Sequence, residues 1–132
     1  MIKVTAADID RFLVEDDDQP IVMLNLLRFK TDGGRQRYLD YLAMAGPIVA
    51  RYGAEIIFAG DGATALCAEP GQSWDAVALV RYPKRTAFVD MIADPAYAVA
   101  DPIRMSALEE AVLQPINIMA LRAEVLPHFK KL

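Results

Sequence analysis

One cysteine, Cys67, and one histidine, His128, are the whole supply of the side chains that most often hold transition metals. A lone cysteine forms no intrachain disulfide, and a lone histidine in the tail after Pro127 completes no Ser-His-Asp set. Any metal site would have to be built from carboxylates alone, so no metal is expected. Walker and GxGxxG patterns are missing, and Gly60-Asp61-Gly62 is too short to cradle a phosphate. Basic residues number 14 against 18 acidic ones, giving a net charge of −4. The basic residues are scattered, with no run longer than Lys130-Lys131, so the basic stripe of a nucleic-acid binder is lacking. No apolar stretch reaches the roughly 18 residues of a membrane span. Met1-Ile2-Lys3-Val4 is not followed by the apolar segment of a signal peptide. The expectation is a cytoplasmic protein that binds neither nucleic acid nor membrane.

The chain has 132 residues, enough for one domain with its own core, and residues 1–132 are read as a single unit. Its apolar fraction of 55% exceeds the roughly 45–50% usual for soluble domains. A small domain cannot hide that excess alone, so a second chain is expected to cover part of it. The acidic cluster Glu15-Asp16-Asp17-Asp18 reads as a solvated turn after a helix.

Thr5-Ala6-Ala7-Asp8 has the form of a capping box, and Ile9, Phe12 and Leu13 follow at helical spacing. Pro20 opens a nearly continuous apolar run from Ile21 to Phe29, as in a strand buried on both faces. After the turn at Thr31-Asp32-Gly33-Gly34, a helix is predicted from about Arg35 to Tyr52. It carries Tyr38, Tyr41, Leu42, Ala45, Ile48, Val49 and Tyr52 on one face. Gly46-Pro47 is expected to kink or restart it, and Gly53 to end it. Ala54 to Ala68 reads as extended, with a bulge or tight hairpin at Gly60-Asp61-Gly62 and Cys67 buried in it. A strand from Trp74 to Tyr82 is stopped by Pro83. Thr86 then caps a short helix with Phe88, Met91 and Ile92. Asp94-Pro95 and Asp101-Pro102 each set a capping acid before a proline, so two further helical pieces are expected. Leu113 to Ala123 reads as the final strand.

The order is a helix followed by β-α-β-β-α-β, an α+β, ferredoxin-like plan with an extra N-terminal helix. Leu26-Leu27-Arg28-Phe29 echoes Leu79-Val80-Arg81-Tyr82, as expected of equivalent central strands, here read as a parallel pair. By alternation, Leu24, Leu26 and Arg28 share a face with Val77, Leu79 and Arg81. Met23, Asn25, Leu27 and Phe29 share the other with Trp74, Ala76, Ala78, Val80 and Tyr82. Both faces are apolar. Helices cover one, and a second copy of the sheet is the simplest cover for the other, predicting a homodimer.

Pro20 to Phe29, Tyr38 with Tyr41, Arg51-Tyr52-Gly53, Trp74-Asp75, Arg81-Tyr82-Pro83 with Arg85, and Asp94-Pro95 with Tyr97 together resemble the domain of unknown function 1330 family over roughly residues 20 to 121. The resemblance implies a dimeric α/β barrel, similar in fold to antibiotic-biosynthesis and haem-degrading monooxygenases. It implies no particular reaction. An asparagine on the first strand with a tryptophan on the third is similar to the haem-degrading group. That group also needs a histidine on iron, and His128 is poorly placed for it. No cofactor is therefore expected.

The candidate ligand-binding residues are Asn25, Phe29, Tyr41, Trp74, Ala78, Tyr82, Arg28 and Arg81. Asn25 is the only polar side chain between Pro20 and Arg28, and a buried amide must find partners, in the backbone or in a ligand. Ala76 and Ala78 leave room on their face, to be filled by a large neighbour or left as a pocket. Tyr41 and Met91 are expected to close that pocket from the helices. Arg28 and Arg81, read as side by side, either bind an anion or pair with acids. Arg104 reads as a surface residue, and Tyr38, Tyr41 and Tyr52 as core with hydroxyls at the edge. Two functions remain open: a non-catalytic dimeric module binding a small anionic or aromatic molecule, or a cofactor-independent oxygenase, isomerase or cyclase. In the second, Asn25 and an arginine would stabilise developing negative charge.

Overall fold

The computed structural model describes residues 3–130. Helix α1 (Ala6–Val14) starts at the expected capping box: the Thr5 hydroxyl accepts the Asp8 N–H, and the Asp8 carboxylate accepts the Thr5 N–H. Its Phe12 is buried in the core. Strand β1 (Ile21–Phe29) has the expected bounds, Pro20 standing just before it. Helix α2 (Gly34–Ala50) begins so close to the end of the fourth helix that a Cβ on Gly34 would lie 2.4 Å from the Ala107 carbonyl. Only glycine fits there.

Helix α2 runs through Gly46-Pro47 as one element, so it does not restart there. The residue before a proline leaves the helical region chiefly because of its Cβ, and Gly46 has none. Gly53, in the left-handed region at φ 78°, turns the chain after the helix, as expected.

Strand β2 (Glu55–Asp61) ends where the sequence suggested an interruption, and strand β3 is Ala76–Tyr82. The extended reading to Ala68 is therefore wrong. Residues 62–75 form a loop in which Cys67 is exposed, and Trp74 precedes the strand. A side chain at Gly62 would strike the Trp74 carbonyl, 1.9 Å from the Cβ position, so the loop closes on itself at that point. Helix α3 (Arg85–Ile92) starts one residue before Thr86, with Lys84 at its N-cap.

Helix α4 (Pro95–Ala107) is a single helix: Asp94 caps it through the Ala96 N–H at 2.8 Å, and Asp101-Pro102 lies inside it. The two separate pieces expected there are one. Strand β4 (Leu108–Ile116) follows α4 without a loop, five residues earlier than expected. Two acids hid its start. Glu110 is tolerated in the strand because Arg28 lies opposite and bonds it. A short 3-10 turn, Leu126–His128, closes the described chain.

The four strands form one antiparallel sheet in the order β2-β3-β1-β4, the ferredoxin-like arrangement. The central pair β1–β3 is antiparallel, correcting the parallel reading: Ile21 lies opposite Tyr82, and Leu27 opposite Ala76. The face assignment survives for the strand residues, because the register sets Asn25 against Ala78 and Leu24 against Leu79, but not for Trp74, which precedes β3 and lies against Arg28 on the opposite face. The helices cover the face bearing Ile21, Met23 and Leu27, and the core lies between them. Among the described residues, no helix is long and apolar enough to cross a membrane.

Candidate functional site

The helix-side face of the sheet is low where it should be full. One row across all four strands reads Ala59, Ala78, Asn25, Leu113, and the next reads Asp61, Ala76, Leu27, Ala111. Four alanines stand where branched side chains would fill the layer. The roof does not drop to meet three of them, Ala59, Ala76 and Ala78, and a cavity of about 650 Å³ remains between the sheet and helices α2, α3 and α4.

Asn25 sits at the centre of its floor. Its amide nitrogen donates one long bond, 3.3 Å, to the Met23 carbonyl. An amide offers two donors and two lone pairs, so Asn25 keeps capacity for a ligand. The roof is aromatic. Phe29, at the end of β1, meets it: the rings of Phe29 and Tyr38 lie 5.5 Å apart, those of Tyr38 and Tyr41 5.3 Å, and those of Tyr41 and Tyr97 6.3 Å. The Tyr41 and Tyr97 hydroxyls share a hydrogen bond of 3.0 Å. Burial pushes the Tyr38 hydroxyl up to about 12, and raises Tyr41, Tyr82 and Tyr97 as well. The positive charge of Arg104 opposes that rise at Tyr38, Tyr41 and Tyr97. These phenols are therefore neutral hydrogen-bond donors near neutral pH. Arg35 and Asp61 form an ion pair of 2.6 Å at the rim, each more than half exposed.

The family's sequence profile, Domain of unknown function (DUF1330), matches residues 30–114. The chain belongs to the DUF1330 family. It resembles the crystal structure of RPA0582, a protein of unknown function from Rhodopseudomonas palustris, at 30% identity and a TM-score of 0.82, over 91% of this chain and 98% of that one. Two more distant structures share the fold. One is a dimeric ferredoxin-like protein of unknown function from Jannaschia (TM-score 0.59, 10% identity, 75% of this chain and 99% of that one). The other is SnoaB, a cofactor-independent oxygenase from Streptomyces nogalater (TM-score 0.56, 11% identity, 80% and 98%). No curated protein matches the chain.

Within this DUF1330 chain, Asn25, Phe29, Tyr41, Ala78 and Tyr82 all line the cavity, as do Ala76 and Met91. Trp74, Arg28 and Arg81 do not. Arg28 points to the other face. Its guanidinium lies 4.8 Å from the Trp74 ring centre, bonds Glu110, and donates to the Gly71 and Ser73 carbonyls at 2.7 Å each. These two residues pin the 62–75 loop to the sheet, so the asparagine–tryptophan pairing of the haem-degrading group is not reproduced in one pocket. Arg81 lies opposite Val22, at the far end of β1 from Arg28. The antiparallel direction of β3 separates the two arginines, so they make no joint anion site.

Arg104 and Tyr97 belong to the cavity and were not among the expected site residues. Arg104 is buried rather than on the surface. The signal for both was their spacing: seven residues, two turns, brings them to one helix face. Splitting the helix at Asp101-Pro102 destroyed that periodicity.

Proposed function

We propose that this DUF1330 protein is a cytoplasmic homodimer that binds a small organic molecule, aromatic or anionic, in the helix-side cavity of each protomer. The observation that carries the reading is the cavity of about 650 Å³, apolar in most of its lining, with Asn25 on the floor and the Tyr41–Tyr97 pair in the roof. Its volume falls within the roughly 300–1,000 Å³ of small-ligand sites, and a few directional polar groups in apolar walls are their usual make-up. The dimer accounts for the opposite face. Leu24, Leu26, Val77 and Leu79 form a half-buried apolar centre there, and Phe58 beside them is 56% exposed. The Jannaschia neighbour, described as dimeric, supports the same assembly.

Native mass spectrometry of freshly purified protein tests the binding reading. The expected result is a dimer carrying a small molecule released on denaturation. A ligand-free dimer, together with no binding across a panel of small aromatic acids, would overturn it.

The second reading is catalysis without a cofactor, the class to which the SnoaB neighbour belongs. The specific observation in its favour is the set of neutral donors, Tyr41, Tyr97 and Asn25, around one space. Such donors stabilise a developing oxyanion or enolate. Turnover of an enolisable or aromatic compound by the dimer, abolished in Asn25→Ala, would favour this reading over simple binding.

A further inference from the structure

A second hollow of about 440 Å³ lies beneath α1. It abuts the main cavity: Met23, Phe88, Arg104 and Leu113 line both. Its charged lining is Lys3, Arg11, Arg85 and Arg104 against Asp8 and Glu15. Asp8 is engaged by the Thr5 cap and by Arg11. Glu15 is largely exposed, 3.9 Å from Arg85. Positive charge therefore prevails inside.

Arg85 is the decisive residue. Its side chain is only 2% exposed, yet its guanidinium is poorly matched. Nη1 donates a long bond of 3.3 Å to the Phe12 carbonyl, Nη2 is beyond hydrogen-bond reach of Glu15, and Nε has no partner among the described residues. The group stacks 4.6 Å over the Phe12 ring, which holds α1 against α3 but satisfies none of its N–H donors. Burying a guanidinium is costly unless its donors meet acceptors, and a planar carboxylate is the acceptor its fork fits best.

We infer that the hollow beneath α1 is an anion site, in which Arg85 and Arg104 hold the carboxylate of an organic acid whose apolar body reaches past Phe88 and Met23 into the main cavity. The ligand class becomes an amphipathic monocarboxylic acid, with its acid end under α1 and its hydrocarbon or aromatic end over Ala78 and Asn25. Helix α1, which the basic ferredoxin-like plan lacks, becomes the cover of the acid end. This deepens the small-molecule reading and rests on it for the ligand's body alone.

Phenylpropionate and phenylpropanol differ only at the acid group, so the pair separates the two sites. In nitrogen–proton spectra of the intact protein, the Arg85 Nε–H signal reports the hollow and the Ala78 amide reports the main cavity. The expected result is that phenylpropionate shifts both signals and binds at least tenfold tighter, while phenylpropanol shifts Ala78 alone. In Arg85→Gln the tenfold preference should vanish; the wild-type spectra decide the matter if that variant does not fold. If both compounds shift Ala78 with equal affinity and Arg85 stays still, the anion site is overturned and the binding cavity stands. A shift at Arg85 without one at Ala78 keeps the anion contact but overturns the shared ligand. No shift at either position overturns this inference and the cavity reading together.

Discussion

The two faces of the sheet are made by alternate residues of the same strands, yet they solve opposite problems. On the helix side, Leu27 is 1% exposed and packs in the core, but the layer around Asn25, Ala76 and Ala78 is roofed without being filled. On the other side, Leu24, Leu26, Val77 and Leu79 are half-buried and stand outside the core cluster formed with the helices among the described residues. A helix roof rests on its tallest side chains, so small residues beneath it leave a cavity. A bare sheet has no such support, and its apolar centre favours contact with another flat surface. On the proposed reading, one face takes a small molecule and the other a second copy of the sheet.

The comparison breaks most sharply at Leu79, in the middle of the bare face. Leu79→Arg should place an unpaired charge in the dimer interface, at a cost of about 3–5 kcal/mol or more. Sedimentation equilibrium at micromolar concentration should give a dimer for the wild type and a folded monomer for the variant. A wild-type monomer, or a variant that stays dimeric, would remove the assigned role of this face.

Leu26 and Leu27 sharpen the contrast, since they are adjacent in sequence and on opposite faces. Leu27→Ala should cost about 2–5 kcal/mol at any protein concentration, as a core cavity does. Leu26→Ala should instead cost stability that higher protein concentration restores, because its loss falls on association. Urea unfolding at two concentrations reads both.

Titration distinguishes the faces as well. Tyr38 lies on the cavity side with its hydroxyl raised from about 10 in the unfolded chain to about 12 in the fold. A raised value means the neutral phenol favours the folded state. That contribution is complete below about pH 10 and is lost as pH rises towards about 12. The shift corresponds to about 2–3 kcal/mol. Urea midpoints should fall across this window, and the fall should be shallower in Tyr38→Phe. An unchanged slope would assign the alkaline loss to other groups.

Much of this contrast was legible in the sequence, because it depends on alternation and little else. Asn25, Phe29, Ala78 and Tyr82 were grouped on one face by period two, and that grouping holds whether β3 runs parallel or antiparallel to β1. Strand direction carries no such periodic signal, so Arg28 and Arg81 were brought together and are in fact at opposite ends. The prolines misled for a related reason. Pro47 and Pro102 carry a local preference for helix ends, and packing of α2 against α4 overrides it. Reading α4 as two pieces hid Arg104 and Tyr97. Arg85 was visible only as part of a family pattern, since its burial arises from the placement of α1 over α3, which no local spacing encodes.

The smallest expected change in stability is also the most direct test of the central claim, that the helix-side cavity is an open ligand site. Ala78→Leu adds three carbons to the cavity floor. The account predicts that its urea midpoint stays close to that of the wild type, while binding of phenylpropionate, followed by calorimetry, is abolished. A destabilisation of about 1–3 kcal/mol, the usual cost of overpacking a filled core, with phenylpropionate binding unchanged, would contradict it.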